Sequence, residues 1–237
     1  MKNKNTPRKS GFTLVELLTV IAIIGILAAI LIPTVGSVMD NARKSAASSN
    51  LRQIGQAYNI YTAGGSRPKT INLPLTVGSD TFTQDVNGFA TLLAKEADLN
   101  DPKIWVLGDD DLAAGATLPV VVATQSGGSW TVDGTFSSAP KSFTVMNGLS
   151  ARASSTTPVG WTRGLNATSG EWDDGDAVYG DEGGHVVFKD GHVEFFDDLL
   201  GEDGSGALVN TDGSGATSSI LDATGKTAGD VLEDKGS

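Results

Sequence analysis

The strongest pattern in the chain is an apolar run from Phe12 to Ile32, 21 residues interrupted by one ionisable side chain, Glu16. At about 1.5 Å per helical residue it reaches across the roughly 30 Å hydrocarbon core of a bilayer. Helical spacing continues from Thr34 to about Thr62. Val35, Val38, Met39, Ala42 and Ala46 recur at three- and four-residue intervals, and Leu51, Ile54, Tyr58 and Tyr61 form a second set. The second set is rotated from the first by about a third of a turn. The first is expected to pack on neighbouring helices and the second on the chain's own globular part. Pro33 and Gly36 predict a bend or a locally melted turn, and Ala63-Gly64-Gly65 predicts the helix end.

From Ser66 the texture changes to short apolar stretches bounded by Gly, Thr, Ser, Asp and Pro. Asn87–Lys95 reads as a short helix. Lys103–Leu107, Leu118–Ala123 and Ser142–Met146 read as short strands. His185–Phe196 reads as a hairpin turning at Asp190-Gly191. A two-residue type I′ turn there places Phe188 opposite Val193 and Val186 opposite Phe195. One long helix against several bounded strands predicts an α+β fold with a small antiparallel sheet. The predicted organisation is a leader at 1–11, a transmembrane helix at 12–32, its extramembrane half at 33–62, an α+β domain at 66–200, and a flexible acidic Gly/Ser-rich tail at 201–237.

Charge sharpens this picture. Residues 1–11 hold Lys2, Lys4, Arg8 and Lys9 and no acid, whereas the remaining residues hold 13 bases against 28 acids. A basic flank before an apolar span places the N-terminus in the cytoplasm and the rest across the membrane. The acidic remainder argues against a nucleic-acid surface. The absence of cysteine excludes disulfides and thiolate metal sites, and two histidines exclude a multi-histidine site. His185 and His192 have no nucleophile motif beside them, so a structural role is expected for both. The acidic stretch with Asp173, Asp174, Asp176 and Asp181 supplies hard oxygen donors in glycine-containing loops, the chemistry of a structural calcium site.

A secretory signal peptide would have a shorter apolar core. A plain anchor leaves Glu16 unexplained, since an intramembrane acid costs about 2.5–3.5 kcal/mol on insertion scales. Lys9-Ser10-Gly11-Phe12-Thr13-Leu14-Val15-Glu16 resembles the processing site of type IV prepilins and type II secretion pseudopilins. The resemblance implies cleavage after Gly11 by a prepilin peptidase and methylation of the new amine on Phe12. It places Glu16 at the fifth mature position, where it would meet the Phe12 amine of a neighbouring subunit, and Pro33 at the twenty-second, where the family commonly has proline. Ala42-Arg43 with Asn50-Leu51-Arg52-Gln53-Ile54-Gly55, and the Asp190-Gly191 hairpin, resemble one pseudopilin-like group, departing from it at Gly180, where that group has histidine. The implied fold is type IV pilin-like. The implied protein is a structural subunit, not an enzyme, anchored in a bacterial inner membrane with its C-terminal domain periplasmic or extracellular. Its implied partners are the peptidase, other pilin-like subunits, an inner-membrane assembly platform and the lipid bilayer. A type II secretion pseudopilus driving protein export is the expected assembly. A type IV pilus subunit and a membrane-anchored periplasmic binding protein are the alternatives, and the acidic remainder disfavours a DNA-uptake pseudopilin.

Overall fold

The computed structural model describes residues 12–234. Helix α1 spans Leu14–Ala63 without a break. The melted turn expected at Pro33 and Gly36 is absent. Proline removes one N–H from the ladder, and the helical bonds on either side continue. The helix ends where the glycines predicted: Gly64 N donates to the Tyr61 carbonyl at 3.3 Å, and Gly65 turns at φ +95°.

The chain divides into two units, Met1–Lys44 and Ser45–Ser237. In the first, the described residues up to Lys44 are helical from Leu14, and their large apolar side chains are exposed from Leu14 to Met39. In the second, the end of α1 is a core element. Leu51, Ile54 and Tyr58 are fully buried and Tyr61 nearly so, which is the face the spacing assigned to the chain's own domain. Gly55 lets a strand approach closely, since a Cβ there would sit 2.7 Å from Val187 Cγ2.

That strand belongs to a five-stranded antiparallel sheet: β5 (Phe143–Met146), β6 (Pro158–Thr162), β7 (Gly184–Phe188), β8 (Val193–Phe196) and β11 (Val231–Leu232), in the order β11-β5-β6-β7-β8. Two-stranded hairpins surround it: β1–β2 (Leu75–Val77, Asp80–Phe82), β3–β4 (Ala123–Ser126, Ser129–Val132) and β9–β10 (Leu208–Val209, Ala216–Thr217). Helix α2 (Val86–Ala97) covers the predicted Asn87–Lys95 and buries Phe89, Leu92 and Leu93; Asp85 caps it by accepting from Gly88 N at 2.6 Å. Short helices α3 (Gly134–Ser138) and α4 (Ile220–Thr224) complete the α+β architecture, a long apolar N-terminal helix followed by small antiparallel sheets as in pilins.

Three expectations are corrected. Lys103–Leu107 is not a strand: Asp101 accepts from Lys103 N at 2.9 Å and Pro102 opens a single 3₁₀ turn, Pro102–Ile104. In Leu118–Ala123 only Ala123 is in a strand. The β7–β8 hairpin is shifted by one residue, pairing Val187 with Val193, Val186 with Glu194 and His185 with Phe195. A type I′ turn needs positive φ at both central residues, but here Gly191 is at +89° and Asp190 is not in that region. Gly191 N instead donates to the Phe188 carbonyl at 2.8 Å and Phe188 N to His192 O at 3.0 Å, a three-residue loop that sends Phe188 to the same face as His192. The tail is corrected as well. Segment 201–234 contains β9, β10, α4 and β11; Leu208, Ile220 and Leu232 are buried, and β11 extends the main sheet.

Beside this core lies a buried ion pair. Arg163 grips Asp110 bidentately, NH1 to Oδ2 at 2.8 Å and NH2 to Oδ1 at 2.6 Å, and both side chains are 1% exposed. Arg163 also donates to the carbonyls of Lys141 (2.7 Å) and Asp176 (3.0 Å), and Ser142 Oγ donates to Asp110 at 2.6 Å. A second pair sits under the hairpins. Asp80 accepts from Lys95 Nζ at 2.9 Å and from Trp130 N at 2.9 Å. The bond from Lys95, then that from Trp130, holds the Asp80 carboxyl below its ordinary pKa. The unfolded chain therefore takes up this proton at higher pH than the folded one, so the contribution is complete above the unfolded value of about 3.9 and is lost as pH falls through the folded one. Asp80→Asn is expected to be less stable than the parent near neutrality and to lose less stability on acidification. Denaturant midpoints at about pH 7 and about pH 3 check this, and equal losses in parent and variant would contradict it.

Candidate functional site

The candidate site is the start of α1. Gly11 lies outside the described residues, so only the second residue of the expected cleavage bond, the exposed Phe12, is in view. One residue on, the helix begins with a reciprocal cap. Thr13 Oγ1 accepts from Glu16 N at 3.3 Å, while the Glu16 carboxylate accepts from Thr13 N at 2.8 Å and from Thr13 Oγ1 at 2.7 Å. This is a capping box, which satisfies free N–H groups of the first turn and gives the carboxylate local donors. Thr13 and Glu16, expected as parts of a processing motif, thus also pair with each other. The threonine–glutamate spacing of three, directly before an apolar run, was the available signal.

Behind the cap, the leucines, isoleucines and valines from Leu14 to Ile32 are exposed on all sides of the helix. By length and composition α1 is able to cross a membrane. Pro33 lies within the helix, directly after this apolar run.

The acidic residues of the expected calcium site are held in separate backbone turns. Asp173 Oδ1 accepts from Gly175 N at 2.9 Å, Asp176 offers its backbone carbonyl to Arg163, and Asp181 stands in a single 3₁₀ turn, Gly180–Glu182. Among the described residues no three Asp, Glu or His side chains converge on a metal-sized position. The histidines are built into ring clusters. His185 is buried edge-on to Tyr179 and Phe195, and His192 stacks on Phe188 at 4.3 Å beside the Asp190 carboxylate. The backbone N–H of His192 is the foremost cause holding the Asp190 carboxyl below its ordinary pKa.

Comparison with known proteins bears on the same N-terminal region. Residues 6–32 match the family described as the prokaryotic N-terminal methylation motif. The chain is 41% identical over 54 residues to the type II secretion system core protein G of Pseudomonas aeruginosa, a match covering 23% of this chain and 38% of that protein. It is 50% identical over 55 residues to the type IV major pilin protein PilA of Myxococcus xanthus, covering 23% of this chain and 25% of that protein. The matches thus span well under half the length of either relative. No solved structure matches the chain. The N-terminal part is homologous to a pseudopilin and to a pilin, and together with the exposed apolar helix it fits a membrane-anchored, pilin-like protein.

Proposed function

We propose that the chain is a structural subunit of a type II secretion pseudopilus, cut between Gly11 and Phe12 and methylated on Phe12. The observation that carries this reading is the methylation motif at residues 6–32, set on an apolar helix whose large apolar side chains from Leu14 to Ile32 are exposed. Such a helix is stored in a bilayer and, once extracted, buries itself among copies of itself. The similarity to a secretion-system core protein fits the pseudopilus and that to PilA fits a surface pilus, so the preference for the pseudopilus rests on the lack of cysteine. In this reading the chain is a peptidase substrate, not an enzyme. Its N-terminus faces the cytoplasm, and the unit from Ser45 onward lies on the far side of the inner membrane.

The test is the intact mass of the protein purified from its native membrane. The expected species begins at Phe12 and has one added methyl. A full-length chain, or one cut near Ala29, overturns the reading and leaves an anchored or secreted acidic domain. Deleting the gene then separates the assemblies: loss of protein export with surface pili retained is expected, and the reverse assigns the chain to a pilus.

A further inference from the structure

Within the unit from Ser45 onward, α1 has one face on the core and an opposite row that nothing in the unit covers: Ser45, Ser49, Arg52, Gln56 and Ile60. The row holds one cation, small serines that permit close approach, and an isoleucine that is 57% exposed. The surroundings of such a cation are unusual. Residues 45–237 contain 26 carboxylates against 11 Lys and Arg, and of these Lys95, Lys141, Arg163 and Lys189 are already bound inside the fold. Copies of this unit repel one another except where a cation-bearing face meets an acidic one.

The acidic counterpart lies at the end of β8, the sheet's outer strand. A cleft of about 340 Å³ is lined by Phe195, Phe196 and Ala207 together with the exposed Asp197, Asp198 and Glu202. No Lys or Arg occurs between Asp190 and Gly225. Three carboxylates beside a partly apolar lining match a guanidinium on an aliphatic stem next to an isoleucine, and arginine is favoured at such anchor points.

We propose that the outer row of α1, with Arg52 as its anchor, docks into the Phe195–Glu202 cleft of a second copy of this chain. The two patches are different surfaces of one unit, so the contact is heterologous and repeats from copy to copy without closing, as a filament requires. The proposal rests on the filament reading above.

Because the chain has no cysteine, introduced thiols report cleanly. A tagged full-length copy with Ser49→Cys is co-expressed with an untagged copy carrying Ala207→Cys, and the membranes are oxidised. A tagged–untagged disulfide dimer is expected. Arg52→Glu in the first copy, or Asp197→Lys with Glu202→Lys in the second, is expected to lower its yield about tenfold, and both changes together to restore it. The exposed positions leave folding intact, which an unchanged thermal melt verifies. Filaments visible by electron microscopy without this dimer overturn the proposal and leave the filament reading standing. Absence of filaments in the parent overturns both. A dimer insensitive to charge reversal, or an Arg52→Glu defect that the swap does not repair, overturns the docking and points to lipid headgroups as the partner of Arg52.

Discussion

Asp110→Ala is expected to destabilise the unit from Ser45 onward by about 3–5 kcal/mol, a large share of the stability of a domain this size. The cost arises from what the substitution leaves behind. The Arg163 guanidinium is almost completely shielded from water. Its two carbonyl partners, on Lys141 and Asp176, are neutral and do not replace a carboxylate. Ser142 Oγ and Leu112 N also lose the acceptor they share. The effect reaches beyond one pair, because Asp110 caps the 3₁₀ turn Asp111–Ala113 and Ser142 directly precedes β5. Replacing both ions, Asp110→Leu with Arg163→Met, is expected to cost much less than Asp110→Ala, since the uncompensated charge disappears. Denaturant melts of the full chain in detergent measure both variants. A double variant as unstable as Asp110→Ala would show that the pair is valued for its hydrogen bonds to the surroundings and not for neutralising Arg163.

The sequence made the local, periodic features readable and hid those that depend on distant partners. The faces of α1, the end at Gly64-Gly65, and α2 follow from spacing and caps within a few residues. Strand Phe143–Met146 is readable because its residues are a short run rich in aromatic and β-branched side chains. Lys103–Leu107 looked identical by that measure, but the Asp101-Pro102 start signal outweighed β propensity. The hairpin was located correctly and its register was not. Asp-Gly suits both a two-residue and a three-residue loop, and the choice moves every side chain to the other face. The C-terminal segment was misjudged because Leu208, Ile220 and Leu232 are spaced too widely to show a period. Leu232 is placed by a distant strand, as β11 pairs with β5. In the candidate site, the motif identified Phe12 and Glu16 but not their chemistry in the single chain. The acidic stretch had suitable donors for calcium in composition, yet backbone turns direct them to separate tasks.

Glu16 is where the single-chain and filament readings make different demands. The capping box gives the carboxylate a complete local role, holding Thr13 N–H and hydroxyl at the start of α1. Glutamine fills the same position of a capping box as well as glutamate does. A purely local role therefore predicts that Glu16→Gln assembles like the parent and only Glu16→Ala is impaired. The filament reading predicts otherwise. A cationic Phe12 amine among packed apolar helices needs a charge of opposite sign, and glutamine keeps the hydrogen bonds but not the charge. Glu16→Gln and Glu16→Ala are thus both expected to be cleaved and methylated normally and to form no filaments. Thr13→Val, which keeps the carboxylate and loses only the hydroxyl, is expected to reduce assembly without abolishing it. Intact mass reports processing in each variant, and electron microscopy of sheared filaments reports assembly. Normal filaments from Glu16→Gln would reduce Glu16 to a helix cap, and subunit register would then have to be set elsewhere, with the Arg52 contact as the leading alternative.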